Sequence, residues 1–128
     1  MRAYLPISHD ELNAFLFSGK KEIETIFAPT PFYVGENDDL DEEEIEYLLS
    51  MIAAEKSLEL RPTDGAPGIV LALELVAGQV DQVGENSVSV NSPLEWEQVQ
   101  CALLLFPDDD ELVWFATQEI SLHIGEWN

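Results

Sequence analysis

The chain has 128 residues, of which 46% are apolar, enough for one domain with a real core. Its 26 acidic residues against 5 basic ones leave a net charge of −21, and nothing basic follows Arg61. That balance argues against direct binding to nucleic acid or to an anionic membrane, both of which require clustered Lys and Arg.

Arg2 to Ile7 reads as a first strand. Ser8-His9-Asp10-Glu11 has the form of a capping box, followed by Leu12, Phe15 and Leu16 at helical spacing and by Gly19 as a stop, which predicts a helix over His9–Ser18. Thr25 to Ala28 is a second strand, and Thr30-Pro31 predicts one helical turn to Val34. A long helix begins near Asp39 or Asp41, with Ile45, Leu48, Leu49, Ile52 and Ala53 on one stripe, and ends at Arg61-Pro62.

Ile69 to Val76 is apolar on both faces and reads as a central strand. A turn at Gly84-Glu85-Asn86 leads into a short strand, Ser87 to Asn91. Ser92-Pro93-Leu94-Glu95 resembles a second capping box and predicts a short helix to Val99. Gln100 to Phe106 is a buried strand, and the run Asp108-Asp109-Asp110-Glu111 then opens a last, strongly apolar helix carrying Leu112, Phe115, Ala116 and Ile120. The order β-α-β-α-β-β-α-β-α predicts an α+β domain over residues 1–128. Its mixed sheet of about five strands would pack against helices as a ferredoxin-like or related two-layer sandwich.

Cys101 stands alone in an apolar run and reads as a buried thiol in a reducing compartment. With no signal peptide and no apolar stretch of bilayer length, the expected location is the cytoplasm.

Four features of the sequence are candidate sites. Asp108 and Asp110, just after a buried strand, have the hard oxygen ligands of a Mg²⁺ site for phosphoryl transfer or hydrolysis. No cation lies near them in sequence to hold a phosphate, and acidic residues at a helix start account for the run without a metal. Glu36 to Glu46 holds eight carboxylates but lacks the sixth-position glycine of a calcium loop. It reads either as a solvated helix start or as a docking face for a basic or amphipathic protein, formed by Asp39, Asp41, Glu42, Glu43, Glu44 and Glu46. His9 and His123 have no nucleophile beside them, so His9 reads as a surface residue at a helix cap. The aromatic end with Trp114, Phe115 and Trp127 suits a core, and also a homodimer through the C-terminal apolar helix.

The start, Met1-Arg2-Ala3-Tyr4-Leu5-Pro6, and the end, Glu111 to Ile120 (ELVWFATQEI), resemble a family of small actinobacterial proteins, as does the acidic helix start before Glu46-Tyr47. The resemblance implies a cytosolic bacterial protein of one domain and brings no catalytic residue with it. Beside Trp114 and Phe115, the polar stretch Thr117-Gln118-Glu119 reads as a hydrogen-bond network at a helix end.

The expectation is therefore a non-enzymatic cytosolic protein presenting an acidic face to a basic partner. The alternatives are a Mg²⁺-dependent enzyme using Asp108 and Asp110, and a DNA-mimic inhibitor of a nucleic-acid-binding protein.

Overall fold

A computed structural model describes residues 1–128. Its elements in chain order are β1 (Arg2–Ile7), α1 (His9–Ser18), β2 (Lys20–Lys21), β3 (Thr25–Phe27), α2 (Pro31–Glu36), α3 (Glu42–Leu58), β4 (Gly68–Glu74), β5 (Val80–Val83), β6 (Ser87–Val90), β7 (Leu94–Glu95), a 3-10 turn (Trp96–Gln98), β8 (Val99–Leu105), β9 (Val113–Ala116), α4 (Thr117–His123) and a final 3-10 turn (Ile124–Glu126).

Seven strands form one sheet in the order β5-β6-β3-β1-β4-β8-β9, and β2 pairs with β7 apart from it. Every pairing is antiparallel, so the sheet is larger than expected and is not mixed. β4 lies between β1 and β8, in register with Leu5↔Leu71 and Leu71↔Ala102. Both of its faces are buried, as its unbroken apolar run requires.

The alternation of side chains along these strands divides the core in two. Ala3, Leu5, Ile7, Ile69, Leu71, Leu73, Ala102 and Leu104 face one way, against Leu12 and Phe15 of α1 and Ile120 of α4, with Ile124 and Trp127 beyond. Tyr4, Val70, Ala72, Cys101 and Leu105 face the other way, against Ile45, Leu49, Ala53 and Ala54 of α3. Helices thus cover both faces, giving three layers in place of the two-layer, ferredoxin-like sandwich expected.

Helix α1 has the predicted bounds. Ser8 and Glu11 form the capping box, and Gly19 closes the helix at φ 80°, where a side chain would be strained. The expected helix after Ser92 is replaced by β7 and a 3-10 turn. Lys20 sits opposite Glu95 in the short ladder, and the Gln98 side chain accepts from the Glu95 amide at 2.9 Å. β5 is an added strand; its Asp81 and Gln82 are exposed at the sheet edge, so no apolar alternation announced it.

The largest departure is at the C-terminal end. Asp108, Asp109 and Asp110 do not open a helix; they lie in the loop of a β8–β9 hairpin, with Asp108 at φ 65°. Aspartate tolerates that left-handed conformation because its short polar side chain can bond locally. Val113, Trp114 and Phe115 then pair with Leu104, Leu103 and Ala102. Their β-branched and aromatic side chains suit a strand, and the free edge of β8 outweighs the helical spacing of Leu112, Phe115 and Ala116. Helix begins only at Thr117. Ile120, Ile124 and Trp127 are buried, whereas Val113, Trp114 and Leu122 remain exposed. No helix is long and apolar enough to cross a membrane.

Candidate functional site

The acidic segment folds into a corner made by α2, α3 and the link between them. Thr30 caps α2: its Oγ1 accepts from the Tyr33 amide at 3.2 Å and donates to the Glu85 carbonyl oxygen at 2.6 Å. The Asn37 side chain donates to the Tyr33 carbonyl at 2.9 Å and the Leu40 amide to the Asn37 carbonyl at 3.0 Å, which turns the chain into α3. Asp41 caps that helix. The Glu44 amide donates to Asp41 Oδ1 at 2.9 Å, and the Asp41 amide to Glu44 Oε1 at 3.3 Å. Glu42, Glu43 and Glu44 thus occupy the positive end of the helix dipole.

The six carboxylates expected to form one face divide into three groups. Asp41 and Glu44 have a structural role as each other's caps while staying exposed. Asp39, Glu42 and Glu43 are exposed with no such role. Glu46 is half-buried and acts on Arg2 and Tyr4, so it does not belong to the outer face. The salt bridges of the chain are those of the N-terminal ammonium with Glu74, Lys21 with Glu11, Lys56 with Glu59 and His123 with Glu126. None involves a carboxylate between Glu36 and Glu46.

Apolar side chains that the sequence did not single out stand among these charges. Phe32, Val34 and Tyr47 are 61%, 41% and 58% exposed. Leu40 is a ridge between two depressions. One, of about 310 Å³, is lined by Leu40, Asp41, Glu43, Glu44, Tyr47 and Leu48. The other, of about 320 Å³, is lined by Pro29, Val34, Leu40, Glu42 and Ile45. Tyr47 falls off the apolar stripe of α3, and that was the one sign in the sequence of an outward-facing apolar group.

A second polar cluster lies at the N-terminal end of α3. Arg2 Nη1 donates to Gln100 Oε1 at 3.1 Å, and Nη2 approaches Cys101 Sγ at 3.7 Å. Burial works against the Arg2 charge, but Tyr4, Cys101 and Glu46 around it hold its pKa above the ordinary value. Burial, then the charge of Glu46, pushes the Tyr4 phenol up against the opposing pull of Arg2. Burial also raises the Cys101 thiol, again opposed by Arg2. These shifts disfavour a thiolate nucleophile and describe a packed, charge-balanced cluster.

The remaining candidates lie elsewhere in the fold. The chain gathers no group of three or more His, Cys, Asp or Glu side chains able to hold a metal ion, and Asp108 and Asp110 stand in the β8–β9 loop outside any such group. His9 is not a free surface group. Its Nε2 donates to the Ile124 carbonyl at 2.7 Å and its Nδ1 lies 3.4 Å from Asn13 Nδ2, an arrangement that ties α1 to the C-terminal turn. His123 pairs with Glu126 at 3.1 Å. Thr117 Oγ1 donates to the Val99 carbonyl at 3.0 Å and the Ala116 amide to Glu119 Oε1 at 2.8 Å, which makes this stretch the helix-end network expected.

No curated protein and no solved structure matches the chain. Residues 1–104 do match a family, a span that includes Met1-Arg2-Ala3-Tyr4-Leu5-Pro6 and the acidic α3 start and stops short of β9 and α4. The chain belongs to that family, DUF6912, a family of unknown function.

Proposed function

We propose that this chain is a non-enzymatic interaction protein of the bacterial cytosol that docks a basic protein partner on the α2–α3 corner. The observation that carries this reading is that the outer carboxylates Asp39, Asp41, Glu42, Glu43 and Glu44 are exposed and none of them is in a salt bridge. Like charges crowded on a helix start repel one another, and a cationic partner relieves that repulsion. The exposed apolar groups between the carboxylates supply contact area that a merely solvated face would not need.

The test is capture from host cytosol at low salt, with stepwise salt elution, by the native chain and by the Glu42→Gln/Glu43→Gln/Glu44→Gln variant. Glutamine at the third helical position preserves the capping box, so the variant keeps its helix. One stoichiometric basic partner is expected, released at moderate salt as screening shortens. Its affinity should be weaker by about tenfold or more in the variant, at roughly 0.5 kcal/mol per lost charge contact. Equal capture by both proteins, or no stoichiometric partner, overturns the reading.

A further inference from the structure

The two depressions flanking Leu40 restrict what a partner can present. Both are lined by Leu40, so they adjoin one another across that side chain. Their rims carry Asp41, Glu42, Glu43 and Glu44 and no basic residue. The corner consists of two helices and a turn, and the free edges of the main sheet are β5 and β9. An extended segment would therefore find no ladder to join here, and its main-chain donors and acceptors would be left over the apolar ridge without partners. A helix bonds its main chain internally and brings apolar side chains to one face about one turn, 5.4 Å, apart.

We infer that the partner docks through a basic amphipathic helix. Two apolar side chains one turn apart straddle Leu40, one in each depression, and flanking Lys or Arg residues face Glu42 and Glu43. The inference rests on the docking reading above and adds the form of the ligand to it. The apolar anchors provide the affinity and the carboxylates speed encounter and reject acidic partners.

Two synthetic Lys/Leu peptides of about 18 residues, or five helical turns, make the test. They share one composition; in one the leucines follow helical spacing, and in the other they alternate as in a strand. Each is titrated into the isotope-labelled chain while its amide resonances are followed. The helical pattern is expected to bind at least about tenfold more tightly, with shifts centred on Val34, Leu40 and Tyr47. Its advantage should vanish in Leu40→Ser. Tyr47→Ala, at an exposed position of α3, should reduce it and so guards against a folding defect in the first variant. Equal binding of the two patterns, weakened for both by the Glu42/Glu43/Glu44→Gln variant, overturns the helical ligand and leaves the docking reading intact. Shifts centred away from Leu40 overturn the helical ligand as well. Failure of both peptides to bind at low salt overturns both inferences.

Discussion

Thr30 and Glu85, 55 residues apart in sequence, are joined by a 2.6 Å hydrogen bond from the threonine hydroxyl to the glutamate carbonyl oxygen. The same hydroxyl accepts from the Tyr33 amide, and Thr30 is fully buried. One side chain therefore caps α2 and fixes the acidic corner to the turn before β6.

Thr30→Val keeps the shape and removes both bonds. It is expected to lower unfolding stability by about 1–3 kcal/mol, through a lost cap and a buried carbonyl without its partner. Thr30→Ser should retain most of that stability. Urea denaturation of the three proteins decides it. Equal midpoints for Val and Thr would show that the bond to Glu85 contributes nothing.

At Gly68 the start of β4 lies close against the C-terminal end of α3. A Cβ there would stand 2.3 Å from Ser57 Oγ and 3.2 Å from Leu58 Cδ2. Ser57 has little freedom to yield, because it is buried and its hydroxyl donates to the Ala54 carbonyl at 2.6 Å. Gly68→Ala should destabilise by about 1–3 kcal/mol through overpacking. Ser57→Ala in the same chain removes the obstructing oxygen and should restore much of the loss. Additive effects in the double variant, measured by denaturant titration, would contradict this packing account.

Cys101 and Tyr4 make stability fall at alkaline pH. Burial holds the thiol above its ordinary 9.0 and, with the charge of Glu46, holds the phenol above its ordinary 10.0. The unfolded chain therefore gives up these protons at lower pH than the folded one. The folded state then binds more protons, and stability declines as pH rises. The contribution is complete below the ordinary thiol value of 9.0 and diminishes above it. Thermal melts in the alkaline range should show this decline, and Cys101→Ala should remove its first part. A flat melting temperature through that range would count against the burial of both groups.

Trp127 and Trp114 should behave in opposite ways. Trp127 is 2% exposed and meets Phe115 edge to face at 5.0 Å, whereas Trp114 is 60% exposed on β9. Trp127→Ala should destabilise by about 3–5 kcal/mol, as expected when a large core aromatic is removed. Trp114→Ala should change stability by about 0.5 kcal/mol or less, as at an ordinary surface site. Acrylamide should quench Trp114 fluorescence and spare Trp127. Similar quenching of both would contradict the exposed place of Trp114 on β9 and the buried place of Trp127.

The sequence by itself determined the features that depend on neighbours in the chain. Ser8, Glu11 and Gly19 define α1, Asp41 and the Ile45–Ala53 stripe define α3, and the doubly apolar run Ile69–Val76 marks a central strand, observed as Gly68–Glu74. Capping, helical spacing and burial on both faces are local properties, so they could be read directly. The net acidity and its concentration between Glu36 and Glu46 were legible for the same reason.

Only the tertiary structure decided what depends on a distant partner. Val113 to Ala116 has a helical apolar pattern, yet it becomes a strand because β8 offers an unpaired edge. Leu94-Glu95 pairs with Lys20-Lys21 for the same reason, and the second capping-box pattern is overruled. Glu46 is separated from its acidic neighbours because its position on α3 turns it toward Arg2 and Tyr4. Leu40 becomes a ridge between two depressions only because α2 is tied to Glu85 and α3 packs on β1 and β4. Hydrogen-bond pairing between strands and the burial of one helix face are contacts across long sequence separations, which no local window of residues contains.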